Sequence, residues 1–249
     1  MSGKNFRVAQ ASERTNVDGK PVRNKVLLAT PDSEYELMRA DLRYIDLPHH
    51  LSLHEPTQSI EFVYFPNRGM VSQVVVTKDG RTVEVGVVGK EGFVGAGLAV
   101  GVSRSSVREI IQIAGDGFRM MGNALERILR SAPQLQVMLN RHTGLQGMQV
   151  AQTAACNRLH DIQQRLSRWL LMTQDRVNSG VLPITHDFIA TMMGTGRSTV
   201  SLAAAVMQKE GIIEYLRGAV KIVNRRKLEQ SACECYDIIQ EFEDDLGLR

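Results

Sequence analysis

The chain has 249 residues, 43% hydrophobic, 23% charged and 5% aromatic. This is enough apolar material for one or two ordinary domains, which excludes a mainly disordered chain. Mean hydropathy is −0.16, and the most apolar stretch, residues 92–103, is glycine-rich and short of the roughly 18–20 residues of a membrane span. A formal net charge of +3 is too slight a bias to argue for nucleic acid by itself. Its distribution says more: residues 184–228 hold seven bases and three acids, whereas residues 229–249 hold seven acids and one base. A basic module followed by an acidic tail is a local footprint of the kind nucleic-acid binders carry.

Residues 1–23 are polar, charged throughout and without an apolar core, so they read as a flexible tail and as neither signal nor anchor. Three cysteines, Cys156, Cys233 and Cys235, are an odd number and fit a reducing compartment; the expected location is cytoplasmic. After Pro31, residues 33–42 predict a short helix capped by Asp32, with Leu37, Leu42 and Ile45 on its buried side. Residues 61–65, 70–76, 82–88, 107–113 and 118–121 are β-branched and aromatic runs, punctuated by Asn67-Arg68-Gly69 and Lys78-Asp79-Gly80. Many short strands at this spacing predict a small antiparallel barrel or jelly roll over residues 24–130.

From Pro133 to Asn157 the texture becomes helical. Leu135, Met138, His142, Leu145, Met148 and Gln152 fall on a stripe near the 3.5–3.6 period, and residues 143–157 carry no charge. Gly144, Gly147, Ala151 and Ala155 are small enough for another helix to approach closely. The expectation is a dimerisation helix over 131–157, pairing along that stripe with a second copy.

Residues 158–249 are the informative part. Residues 161–177 predict an amphipathic helix that ends at Asn178-Ser179-Gly180, and Thr185 caps a short helix, 186–193. Gly194-Thr195-Gly196 then turns into a second helix, 197–209. Helix, glycine-bearing turn, helix is the spacing of a helix-turn-helix. The second helix opens Arg197-Ser198-Thr199-Val200-Ser201, which sets a guanidinium and hydroxyls beside backbone N–H groups that attract phosphate. An arginine there can bond bidentately to guanine O6 and N7. Residues 212–215 and 220–223 flank Arg217-Gly218-Ala219 as a two-stranded wing, with Arg217 and Lys221 near the phosphate backbone. The predicted DNA-contacting residues are Thr195, Gly196, Arg197, Ser198, Thr199, Ser201, Arg217 and Lys221.

Asp187-Phe188-Ile189-Ala190, Gly194-Thr195-Gly196-Arg197-Ser198-Thr199-Val200-Ser201 and Glu210-Gly211-Ile212-Ile213 resemble the Crp/Fnr (catabolite activator and fumarate-nitrate regulator) family of bacterial transcription regulators. In the β-rich half the resemblance is carried by Val63-Tyr64-Phe65-Pro66 and Val88-Gly89-Lys90-Glu91-Gly92-Phe93-Val94-Gly95, and in all it spans roughly residues 24–236. It implies an α+β chain: an N-terminal cyclic-nucleotide-binding-type β-roll, a long dimerisation helix, and a C-terminal winged helix-turn-helix with an acidic last helix. It also implies a homodimer on double-stranded DNA that reads a near-palindromic operator through recognition helices about 34 Å apart. An activator of this kind would also contact RNA polymerase.

Departures from the family shape the expectation. Cyclic-nucleotide binders carry a glutamate after the Phe-x-Gly step, where this chain has Ala96, and their Arg-Ser pair lies about two residues later than Arg104-Ser105 does. The corresponding ligand-binding positions, Gly95, Ala96, Arg104 and Ser105, therefore point to a different small-molecule effector or to none. Iron–sulfur members carry N-terminal cysteines, and this chain has none before Cys156. Ser198 and Leu202 stand where the activator has an acid and a second arginine, so its target sequence does not transfer.

No cofactor and no metal site is expected. His50 and His54 lie on an extended segment, about 13 Å apart, and Cys233 and Cys235 lie in a predicted helix that points them to different sides with no second pair to complete a zinc site. No nucleophile elbow, Walker loop or zinc-protease motif occurs, so the chain does not read as an enzyme. The alternative is a ligand-binding or protein-interaction module whose winged helix does not read DNA.

Overall fold

The computed structural model describes residues 14–245 and Gly247. Residues 1–13 of the expected tail lie outside that range, and residues 14–23 are docked, not loose. Buried Arg14 donates to the carbonyls of Leu27 and Thr30 and pairs with Asp32; Asn16 is buried, and Val22 joins the core. The guanidinium satisfies carbonyls at the C-terminal end of α1 (Lys25–Ala29), which otherwise lack partners. The expected boundary at residue 24 is thereby corrected, because polar composition does not reveal a partner held by later residues.

Helix α2 (Asp32–Arg39) begins at Asp32 and is not capped by it. Tyr35, Met38 and the following Leu42 are buried, while Leu37 is exposed. The roll comprises β1 (Arg43–Leu47), β2 (Ser52–His54), β3 (Phe62–Val76), β4 (Thr82–Val88) and β5 (Arg108–Met121). All pairs are antiparallel in the order β1-β5-β3-β4, with β2 also on β5. Where the sequence predicts two strands and a turn at Asn67-Arg68-Gly69, β3 runs through, and β5 likewise joins two predicted runs. The punctuating residues make bulges instead: register shifts fall between Pro66 and Val71, and Gly69 has φ +87 with its Cα against the Ile113 carbonyl of β5. Phe65, Phe93 and Phe118 are fully buried, with Phe65 and Phe93 stacked at 5.9 Å between centroids.

Helix α3 (Gly122–Leu129) leads into α4 (Pro133–Leu159). Proline opens α4 at a position that needs no N–H. The buried carboxylate of Glu34 accepts from the backbone N–H groups of Gln134 and Leu135, at 3.1 and 2.7 Å, and supplies the missing cap. Most of the stripe expected to face a second copy is taken up within the chain instead, by the roll and, at Gln152, by Cys235 of the C-terminal part. Leu135, His142 and Leu145 are buried, Met138 and Gln152 are half-buried, and only Met148 is exposed. Gln149 locks the register by accepting from the Val87 N–H at 2.8 Å. Leu135 joins the roll's apolar core and His142 meets Phe93 with ring centroids 5.1 Å apart, so the stripe's first partner is intramolecular. The opposite face of α4 is open: Val137, Arg141, Gly144, Gly147, Met148, Val150, Ala151, Ala154 and Ala155 are exposed.

The C-terminal part holds α5 (Ile162–Val177), β6 (Val181–Leu182), α6 (His186–Met192), α7 (Arg197–Lys209), β7 (Ile213–Leu216), β8 (Ala219–Ile222), α8 (Arg225–Ser231) and α9 (Cys235–Asp245). Asp161 and Gln164 form a capping box at the start of α5, and Asn178 ends it with φ 52. A three-stranded antiparallel sheet, β6-β8-β7, closes the wing. Helix α9 starts at Cys235, so Cys233 precedes it; the expectation that both lie within one helix is corrected. Leu166, Trp169 and Leu170 of α5 share one apolar core with Met70, Val87 and Ile113 of the roll. Within this seam the Trp169 indole donates to Glu84 of β4 at 2.6 Å. Among the described residues no helix is long and apolar enough to cross a membrane.

Candidate nucleic-acid interface

The helix-turn-helix is held from below. Ile189, Ala190 and Met193 pack with Val200, Ala203, Ala204 and Met207 of α7 in the core that includes Trp169. The Thr185 hydroxyl accepts from the Phe188 N–H at 3.2 Å, capping α6. Gly194 takes φ +61, and the Thr195 N–H donates to the Ala190 carbonyl at 2.9 Å, closing the turn. The same glycine rests on the roll: a Cβ there would meet Val83 Cγ2 of β4 at 3.2 Å. Gly196 caps α7 without a side chain, which leaves the first-turn N–H groups facing outward with the positive end of the helix dipole.

Arg197 and Ser198 are exposed at this end, while Thr195 and Thr199 are half-buried. The Arg197 guanidinium lies 3.3 Å from the Asp187 carboxylate, an exposed pair that a phosphate or a base edge can displace at little cost. Ser201 is half-buried and its hydroxyl bonds to His186 Nδ1 at 3.0 Å, so it braces α6 against α7. The same face carries a residue that the motif alone did not select. Leu202 is 72% exposed, with Ala205 exposed beside it. Its spacing of four from Ser198 puts both on one face, and an aliphatic side chain there suits a thymine methyl.

The wing is tied to α6. His186 and Tyr215 pack tilted against each other with ring centroids 3.9 Å apart, and burial, then the Arg197 charge, holds the His186 imidazole below its ordinary pKa. Arg217 is exposed at the β7–β8 turn next to Gly218, which has φ +78. Lys221 sits on β8 directly opposite Glu214, and its ammonium donates to that carboxylate at 3.0 Å. It is a cross-strand partner first, and Arg217 is the wing's tip cation.

In the roll, Gly95 has φ +88 and Ala96 opens a short 3-10 helix (Ala96–Val100) with its methyl buried. Arg104 is exposed and donates its Nε to the Thr57 carbonyl at 2.7 Å, and Ser105 donates its hydroxyl to the Val107 carbonyl at 2.7 Å. A separate buried polar chain crosses the roll. His54 pairs with Glu109 and meets the Phe62 carbonyl at 2.9 Å, and Gln73 donates to Glu109 at 2.9 Å. No sequence motif marks these three, because they are far apart in the chain and join only through strand register.

Residues 164–231 match the model of the Crp-like helix-turn-helix domain. Three solved structures share the fold of most of the chain. The c-di-GMP responsive global regulator CLP of Xanthomonas campestris covers 78% of this chain and 100% of its own, with TM-score 0.65 at 16% identity. FixK2 of Bradyrhizobium japonicum covers 77% and 98%, with TM-score 0.64 at 15% identity. A CRP family transcriptional regulator of Thermus thermophilus covers 76% and 96%, with TM-score 0.62 at 20% identity. No curated protein sequence matches the chain.

Proposed function

We propose that this chain, a Crp-like helix-turn-helix domain carried on the fold of the Crp/Fnr transcription regulators, is a sequence-specific regulator that binds double-stranded DNA as a homodimer in the cytoplasm. The observation that carries the reading is the outward face of α7: an uncapped helix N-terminus bearing exposed Arg197 and Ser198, followed by exposed Leu202. Arg197 reads a guanine, Leu202 a thymine methyl, and Arg217 of the wing a phosphate.

The second copy joins along the open face of α4, through Gly144, Gly147, Met148, Ala151 and Ala155, which allow close helix approach. Two such helices set the α7 pair about one helical turn of DNA apart, so the operator is a near-palindrome. An effector at the roll, or a change in its packing, reaches DNA through β4, where Val83 supports Gly194 and Glu84 holds Trp169. Ala96 offers no side-chain acceptor for a ribose hydroxyl, so any effector at the roll would be a small molecule other than a cyclic nucleotide held in that way. An activator would use a further surface for RNA polymerase. No catalytic role is assigned.

The test is selection of bound duplexes from a random library by the wild type and by Arg197→Ala, followed by the salt dependence of one recovered site. A two-fold-related consensus, a steep fall in affinity with salt, and a loss of about 1–3 kcal/mol in the variant are expected. Absence of any consensus, or one that Arg197→Ala leaves intact, overturns the reading.

A further inference from the structure

At the far end of α4 from the roll, four metal-ligating side chains converge. Cys156 in the last turn of α4 and His160 at its C-cap are four residues apart and so lie on one face. Cys233 in the α8–α9 turn and Cys235 at the first position of α9 approach that face from the other side. Cys156 Sγ lies 3.5 Å from Cys233 Sγ, and Cys235 Sγ lies 3.5 Å from His160 Nδ1. All four ligand atoms lie within 4.8 Å of one another, and the three thiols are buried. Two C-terminal thiols within a single helix would point apart; because α9 starts only at Cys235, both reach toward Cys156.

The spacing selects a coordination type. A tetrahedral ion with metal–sulfur bonds near 2.3 Å and metal–nitrogen bonds near 2.0–2.1 Å has ligand atoms about 3.5–3.8 Å apart. An iron–sulfur cluster needs its thiolates spread around several irons and bridging sulfides, for which this set is too tight. Three sulfurs and an imidazole are soft and borderline donors that disfavour calcium and magnesium. Four protein ligands leave no open position, which marks a structural site, not a catalytic one.

The surroundings fit the same assignment. His160 Nε2 is bonded to the Glu234 carboxylate at 3.2 Å, which fixes the proton on Nε2 and leaves the Nδ1 lone pair facing the thiols. Gln152 Nε2 donates to Cys235 Sγ at 3.1 Å, an N–H···S bond that a ligating thiolate accepts better than a thiol does. Three thiolates and a divalent ion carry one net negative charge, and the Arg165 and Arg168 guanidiniums lie near enough to act on Cys156.

We propose that Cys156, His160, Cys233 and Cys235 bind one tetrahedral divalent ion of the zinc class. The ion would clamp the C-terminal end of α4 to the start of α9. Because α5 begins two residues after His160, the clamp would set the angle at which the helix-turn-helix leaves the long helix. The assignment stands on the ligand geometry alone and does not depend on DNA binding.

The experiment is metal analysis of the full chain, purified under reducing conditions with zinc and desalted, followed by exchange into Co2+. One zinc per chain is expected, and the cobalt form should show thiolate-to-metal charge transfer with the intense d–d bands of a tetrahedral site. The chain's only thiols are these three, so that charge transfer reports this site without any variant. His160→Cys should keep the ion and shift the cobalt spectrum toward four sulfurs, whereas Cys233→Ser should lower the content from one ion to none. Chelation should lower the melting temperature of the wild type. A metal-free, reduced wild type under zinc-replete conditions overturns the proposal, as does an octahedral cobalt spectrum or an ion that Cys233→Ser retains. A Cys156–Cys233 disulfide in the native chain would overturn it in favour of a redox pair.

Discussion

The imidazole of His142 in α4 points its Nε2 edge at the backbone of Gly92 in the roll, so close that a Cβ at position 92 would collide with Nε2. The ring is buried and touches Phe93 with centroids 5.1 Å apart. Glycine at 92 is therefore a packing requirement of the seam between roll and long helix. Gly92→Ala should destabilise the chain by roughly 1–3 kcal/mol, as overpacking against a buried ring does. Chemical denaturation measures this, and a change below about 0.5 kcal/mol would mean that the ring moves freely.

Gly144 and Gly147 on the open face of the same helix make the contrast. A Cβ at either meets nothing within 4 Å. In a chain that stays single, Gly→Ala at a helix interior stabilises by up to about 1 kcal/mol each. If the open face pairs closely with a second copy, the added methyl groups instead push the two helices apart. The double variant is expected to raise the dimer dissociation constant at least tenfold in sedimentation equilibrium while its far-UV helical signal is kept. Enhanced stability with unchanged association would place the dimer contact elsewhere.

The contrast also shows what the sequence carried. Periodicity marked α4, the glycine turn marked the helix-turn-helix, and Arg197 at a helix start marked the candidate DNA face. Periodicity could not say which partner takes a stripe: Leu135, His142 and Leu145 turn to the chain's own roll because that surface is covalently attached and close at hand. Bulges at Gly69 hid the continuity of β3, since the same residues make turns in other settings. The Cys156 and Cys233 thiols, 77 positions apart, meet only through tertiary packing. Leu202 was visible as a departure from the family, and only its exposure gives that departure a use.

Glu84 links the roll to the helix-turn-helix core and should make that link pH-sensitive. Burial pushes its carboxyl from 4.5 up to about 7, against hydrogen bonds with Ser72 and Trp169 that favour the ionised form. A raised folded-state value means that the group's stabilising contribution is complete below pH 4.5 and is lost as pH rises through 7. His142 has the opposite sign: burial lowers it from 6.5 to about 4, so its contribution is present above 6.5 and lost as pH falls through 4. Wild-type stability therefore blends two opposing slopes, and the Glu84 part is isolated by difference. The stability of Glu84→Gln relative to wild type should rise between pH 4.5 and 7 by an amount of order 3 kcal/mol and be flat above pH 8. Parallel stability curves for the two proteins would show that Glu84 is ionised throughout.

Arg176 of α5 is buried between two acids from opposite sides of the fold. Its Nε lies 2.9 Å from Glu91 of the roll and its Nη2 lies 3.2 Å from Glu243 of α9, while Nη1 donates to the Met172 carbonyl at 3.0 Å. Both carboxylates are buried, and the guanidinium offsets their desolvation together with the Gly89 N–H on Glu91 and the Gln240 amide on Glu243. Arg176→Met keeps the aliphatic packing but strands two like charges, and should cost about 3–5 kcal/mol. Glu243→Gln leaves the Glu91 pair in place, so it should cost under about 2 kcal/mol. Combining Arg176→Met with Glu91→Gln and Glu243→Gln removes the stranded charges and should recover much of the loss. Denaturation of the four proteins measures the coupling. A triple variant no better than Arg176→Met alone would mean that the penalty lies in lost packing and hydrogen bonding and not in uncompensated charge.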